Sequence, residues 1–150
     1  MTPTLYGRWQ TRFFLMLVLG VPITTLFALR SPVWNIPFIL LGYALILGFS
    51  WDVLYDFLMK WRWNRDWPPV FAFLAGGVEG AFLWMLTKTT LERLPPQQSI
   101  LLGIPTTLRL TDFWTHYGAV WITLFFASLC LMHILTPRWR YRGGQWMAGW

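Results

Sequence analysis

Charge is the scarcest ingredient of this chain. Asp, Glu, Lys and Arg make up 12% of its 150 residues, where ordinary soluble domains carry roughly 25%. Only six residues are acidic, two are histidine and one is cysteine. Each shortage removes a class of function. Cys130 alone forms no internal disulfide and no paired-cysteine zinc site. His116 and His133 fall on one apolar run, about 25 Å apart by helical rise, so they do not clasp one haem within a chain. The sequence has no Gly-rich phosphate loop, no HExxH and no GxSxG, so no catalytic residue and no metal site is expected. The formal charge of +6 comes from short Lys/Arg clusters flanking apolar runs. That is the pattern of membrane flanks, and it argues against nucleic acid as a partner.

What the chain does have is apolar and aromatic. The hydrophobic fraction is 56%, and there are 12 Trp. So few charges do not cover that much apolar surface in water, so the expected class is an all-α integral membrane protein of one domain, residues 1–150. Four segments stand out, at about 13–29, 37–59, 70–87 and 113–135. Each is long enough to cross a hydrocarbon core of ~30 Å at 1.5 Å per residue. Helices are expected because a lipid-exposed backbone must satisfy its own hydrogen bonds. The first segment lacks a small-x-small cleavage pattern and reads as a retained signal anchor. Pro22 is expected to kink it.

The second and third spans are joined by a short hairpin, and Asp66-Trp67-Pro68-Pro69 marks the start of the third. Thr111-Asp112 marks the start of the fourth. A longer loop, about 88–110, contains the apolar patch ILLGI at 100–104; it either lies in the interface or dips back into the protein. With four spans, Arg8, Arg12, Lys60, Arg62, Arg65, Arg138, Arg140 and Arg142 fall on one side, and Arg30, Lys88, Arg93 and Arg109 on the other. Eight cations against four place both termini and the hairpin in the cytoplasm and the long loop outside, in a bacterial inner membrane.

Few groups are left to carry chemistry. Glu79 lies about 14 Å into the third span by helical rise, a depth at which an acid needs a partner or a wet cavity. The reading is a structural acid or a proton or ion site, with Arg or Lys from a neighbouring helix, Tyr55, a carbonyl or a cofactor as its partner. Ala72, Gly76 and Gly80 form a small-residue strip beside it, suited to close approach of another helix. Asp52 shares a helix face with Asp56, and Asp56 precedes Lys60 at i,i+4 spacing. That arrangement reads as a salt-bridged hairpin, with Asp52 as the deeper suspect for a proton or cation. Asp112, one turn before His116, is placed to fix its tautomer.

Three Arg/aromatic clusters make a floor for lipid or for a partner. They hold Arg8, Trp9 and Arg12; Trp61, Arg62, Trp63, Arg65 and Trp67; and Arg138, Trp139, Arg140 and Arg142. The first functional reading is therefore a non-catalytic anchor or scaffold subunit of a larger membrane assembly or a homo-oligomer, docked through the Gly strip and this floor. Two alternatives stand beside it. One is a subunit carrying haem or chlorophyll on His116 or His133, although the residues themselves name no cofactor. The other is a small oligomeric channel or transporter that uses Glu79 and Asp52.

Overall fold

The computed structural model describes residues 4–61, 69–89 and 99–131, with Leu131 by its backbone alone. Among these residues the chain is all helical. Four helices are long and apolar enough to cross a membrane: α1 Leu5–Ala28, α2 Asn35–Lys60, α3 Pro69–Lys88 and α4 Leu110–Cys130. They are compatible with an integral membrane protein.

α1 begins well before the apolar run does. Thr4 is its N-cap, and its hydroxyl accepts from the Gly7 N–H at 3.2 Å. Arg8 and Arg12 are therefore inside the helix and not in a flank that precedes it. The expected disturbance near Pro22 takes the form of a π-helical turn at Met16–Gly20, where the Val21 N–H reaches back to the Met16 carbonyl. One extra residue in that turn makes room for a proline ring that would otherwise crowd the preceding turn. The buried positions record the insertion. Gly7, Thr11 and Leu15 are buried below it, and Met16, Gly20, Thr24 and Ala28 from there on. Both series have a period of four, offset by one residue.

α2 carries Pro37 in its first turn, where the missing N–H has no intrahelical acceptor to lose. α4 starts at Leu110 after Arg109, slightly earlier than expected, so Thr111 and Asp112 lie in its first turn and not before it. Its last described turn is a second π-helical one, Ala127–Leu131.

α1 packs on α2 and α4, and α3 packs on the same two, so α1 and α3 face each other across the diagonal. The small-residue strip of α3 is used inside the chain. A Cβ added at Gly76 would collide with the Trp121 indole, and one at Gly80 with the Tyr117 ring, both on α4. The Tyr117 hydroxyl donates to the Gly76 carbonyl at 2.8 Å. Trp121 also lies against Phe73 of α3, with ring centroids 4.5 Å apart.

The apolar patch of the long loop folds inward. Leu101 and Ile104 are buried with Leu40, Leu83 and Phe113 in the largest core cluster. Ser99 donates from its hydroxyl to the carbonyls of Leu101 and Ile104 at 2.9 and 2.8 Å, closing a tight loop. Gly103 turns it at φ +84°, and its missing side chain admits Ile39. Lys88 holds the loop down, donating to the carbonyls of Thr106 and Leu108 at 2.6 and 2.7 Å while its ammonium sits over Trp84.

The α3–α4 contact gives a direct test. Gly80→Leu should destabilise the detergent-solubilised protein by about 1–3 kcal/mol through overpacking. Gly42→Leu should be close to neutral, because nothing lies within 4 Å of a Cβ there. Unfolding curves in a denaturing detergent followed by circular dichroism measure both, and equal effects would refute the assignment of Gly80 to a tight interface.

Candidate functional site

The centre of the bundle is built on one guanidinium. Arg12 of α1 donates from Nε to Asp52 Oδ2 at 2.9 Å and from Nη2 to Asp52 Oδ1 at 3.0 Å. This is the parallel two-bond geometry that suits guanidinium to carboxylate. The same group reaches Glu79 of α3, from Nη1 to Oε2 at 3.2 Å and from Nη2 to Oε1 at 3.5 Å. One cation thus spans the bundle diagonal and joins three helices. Gly48 of α2 makes its path possible, because a Cβ there would strike the guanidinium. Asp52 and Glu79 are 5% and 8% exposed. The Tyr55 hydroxyl, which donates to the Ala75 carbonyl at 3.5 Å, lines the same cavity as Glu79.

This arrangement changes the reading of Arg12. Grouped by sequence with the surface floor, it is instead the interior partner of both buried acids. The attraction between charges in a low-dielectric interior outweighs the ordinary preference of Arg for the interface, provided each lone pair finds a donor. Asp56 remains with Lys60 at 3.3 Å, as its i,i+4 spacing suggests, and that pair is far more exposed. Arg8 lies near the triad without entering it. Its Nη2 points to Met59 Sδ at 3.0 Å, and its Nε–H is buried with no partner.

A cavity of about 380 Å³ opens on this centre, and all four helices line it. Arg8, Arg12, Asp52, Tyr55 and Glu79 form its charged end, Tyr117 and His116 stand further along, and its walls are largely apolar, including Leu15, Val120, Trp121 and Phe125. Arg12 lines this space, and its side chain is 23% exposed. At ~30 Å³ per molecule it has room for on the order of ten waters.

His116 is 4% exposed. Its Nε2 lies 3.0 Å from the Thr24 hydroxyl of α1, its ring meets Phe27 edge-on, and its Nδ1 is buried with no partner. Thr24 therefore fills the orienting role that spacing suggested for Asp112, which is exposed in the first turn of α4. A second cavity, about 620 Å³, lies at the long-loop end. Arg30, Arg109, Asp112 and Thr115 are in its lining, and His116 lines this cavity as well as the first.

Other candidates sit apart from the centre. Ala72 is exposed on α3 at the rim of the first cavity. Trp9 leans on α2, its Nε1 donating to the Phe49 carbonyl at 3.3 Å. Trp61 is 80% exposed at the end of α2. Arg62, Trp63, Arg65, Trp67, His133, Arg138, Trp139, Arg140 and Arg142 lie outside the described residues. The residue that sequence reading misassigned is Arg12, and a signal for it existed. Two acids within spans require a cation from another span, and Arg12 is one of the two basic residues, with Arg30, that directly abut the first apolar run.

Removing one charge and removing all three should differ in magnitude, with the single removal the more damaging. Arg12→Leu strands two buried carboxylates and should cost about 3–5 kcal/mol. The combined replacement Arg12→Leu, Asp52→Leu, Glu79→Leu should recover most of that loss, since a matched apolar core often equals a buried ion network in stability. Denaturing-detergent titrations of the two variants decide it; a triple variant no more stable than the single one would show that the ions are indispensable to folding.

Compared with protein-family models, with curated proteins and with solved structures, the chain matches none, so its functional reading rests on this geometry.

Proposed function

We propose that this chain is an integral protein of a bacterial inner membrane that handles protons at the Arg12–Asp52–Glu79 centre, as a small channel or proton-coupled transporter. The observation that carries the proposal is that two carboxylates share one guanidinium on the wall of an intramembrane cavity. Taken alone, the directly bonded group is one positive charge short. Arg8 lines the same cavity and supplies compensation at longer range, but it shares no hydrogen bond with either acid that would fix it there. A proton is the smallest cation that closes the gap.

Glu79 is the carboxylate suited to exchange. It holds Arg12 through the longer bonds, whereas Asp52 holds it through two short parallel ones. Protonation of Glu79 would leave the guanidinium on Asp52 and keep the centre neutral. As a stabilising device the triad is a poor choice, since apolar side chains would serve a membrane bundle at least as well. An intramembrane acid facing a wet cavity is the usual mark of an ion or proton pathway.

The scaffold reading loses one of its supports, because the Gly76/Gly80 strip is occupied by Tyr117 and Trp121 of the same chain. For a haem or chlorophyll on His116, the Thr24 hydroxyl already occupies Nε2.

Purified protein in liposomes with a trapped pH-sensitive dye tests the proposal. Under an imposed potassium-diffusion potential, the wild type should dissipate a proton gradient faster than empty vesicles. Glu79→Gln should slow it by at least about tenfold, the scale of losing an essential proton-transfer group. Wild-type vesicles that match empty ones, or a Glu79→Gln variant that matches the wild type, would remove this reading. Topology is checked separately. A C-terminal alkaline phosphatase fusion should be inactive and a C-terminal green fluorescent protein fusion bright, as the eight-to-four distribution of cations predicts; the reverse outcome would place the termini outside.

A further inference from the structure

Proton handling at the triad leaves open how a proton would pass from there to the opposite face. The two cavities together run from the Arg8 end of the bundle to the long-loop end; Leu40 and His116 line both, and of the two only His116 can carry a proton. Building on the proton-handling reading, we propose that His116, together with Leu40, forms the partition between the two cavities and that His116 is the group that relays protons across it.

Three observations converge on this residue. Its place is set from two sides, by Phe27 against its ring and by Thr24, fully buried, at Nε2. Its other nitrogen is buried and unpartnered. A histidine kept only for packing would be a poor occupant, because an unmade buried hydrogen bond costs about 1–3 kcal/mol and leucine would avoid that cost. The free nitrogen makes sense if water or a hydronium reaches it part of the time.

The charged groups on either side are distinct. Toward the triad the first cavity presents Arg12, Asp52 and Glu79, with Arg8 beyond them and the Tyr55 and Tyr117 hydroxyls between. Toward the loop the second cavity presents Arg30, Arg109 and Asp112. No carboxylate is hydrogen-bonded to the imidazole among the described residues, so nothing pins it as a permanent imidazolium.

The step balances without any co-reactant. A neutral imidazole accepts a proton at its bare nitrogen from water in one cavity. It then releases the proton already on the other nitrogen to water in the next cavity, directly or through the Thr24 hydroxyl, which gains one proton as it passes one on. The ring is left neutral with its hydrogen moved between Nδ1 and Nε2, and rotation or the reverse exchange resets it.

Two measurements on the full-length protein test the proposal. In a Cys130→Ser background, Ala44→Cys reports the first cavity and Thr115→Cys the second. A membrane-impermeant maleimide applied to right-side-out and inverted vesicles should label them from opposite sides. His116→Gln keeps a polar partner for Thr24 and should leave that pattern unchanged, yet it should lower liposome proton flux at least about tenfold, because an amide does not exchange protons as imidazole does. His116→Ala should let the reagent reach Ala44→Cys from both sides, and added imidazole should restore part of the flux. Labelling of both cysteines from one side with His116 intact would overturn the partition, and wild-type flux in His116→Gln would overturn the relay. Wild-type protein without flux would sink the proton-handling reading and the relay with it, a result separable from failure of His116 alone.

Discussion

A guanidinium held among four apolar helices dictates the rest of this structure. Arg12 cannot be left unpaired in an apolar surround, and its donors are taken up by Asp52 and Glu79, from two other helices. Those acids have the same need in reverse, so the arrangement holds only if α1, α2 and α3 present these residues at one depth. Gly48 has no side chain because the guanidinium passes over it. Gly76 and Gly80 have none because Trp121 and Tyr117 must come close enough to close the bundle around the charges. Steric choices on three helices thus follow from satisfying one cation.

The centre has opposite consequences for stability and for specificity. Ion networks of this sort contribute little net stability once desolvation is counted, but breaking one partner is expensive. The triad therefore does less to hold the protein together than to forbid alternatives. A rotation of α1 that turned Arg12 away from α2 and α3 would strip two carboxylates of the guanidinium they share. The apolar contacts that provide the stabilisation, such as Leu40, Leu83, Ile104 and Phe113 near the long loop, lie away from the charges. Around the triad the interior is a cavity, where protonation changes need not disturb close packing.

Much of the architecture was legible in the sequence because hydropathy acts locally. Residues 37–59 and 70–87 announce helices by length and composition, and α2 and α3 extend them by only a few residues at any described end. The depth of Glu79 marked it as a residue needing a partner. The partner itself was not legible, since Arg12 and Glu79 are 67 residues apart and no local pattern encodes which helix lies across the diagonal. Arg8 and Arg12 resemble a cytoplasmic flank, and the positive-inside pattern assigns them there without asking whether they are buried. The spacing of Gly76 and Gly80 marks a surface for close approach, but it does not say whether the approaching helix belongs to the same chain. His116 was singled out as a possible ligand; its bond to Thr24, 92 residues away, belongs to the same long-range class.

The π-helical turn at Met16–Gly20 has a further consequence, for phase. In an uninterrupted α-helix, Arg12 and Thr24 would be separated by twelve steps of 100°, which leaves their side chains about 120° apart around the axis. One inserted residue removes a step and brings them to within roughly 20° of each other. The one-residue offset in the buried series, from Leu15 to Met16, is this correction seen along the chain. Without it, a helix that aimed Arg12 at the acids would turn Thr24 away from His116. The bulge beside Pro22 is what allows a single helix to face the interior at both depths.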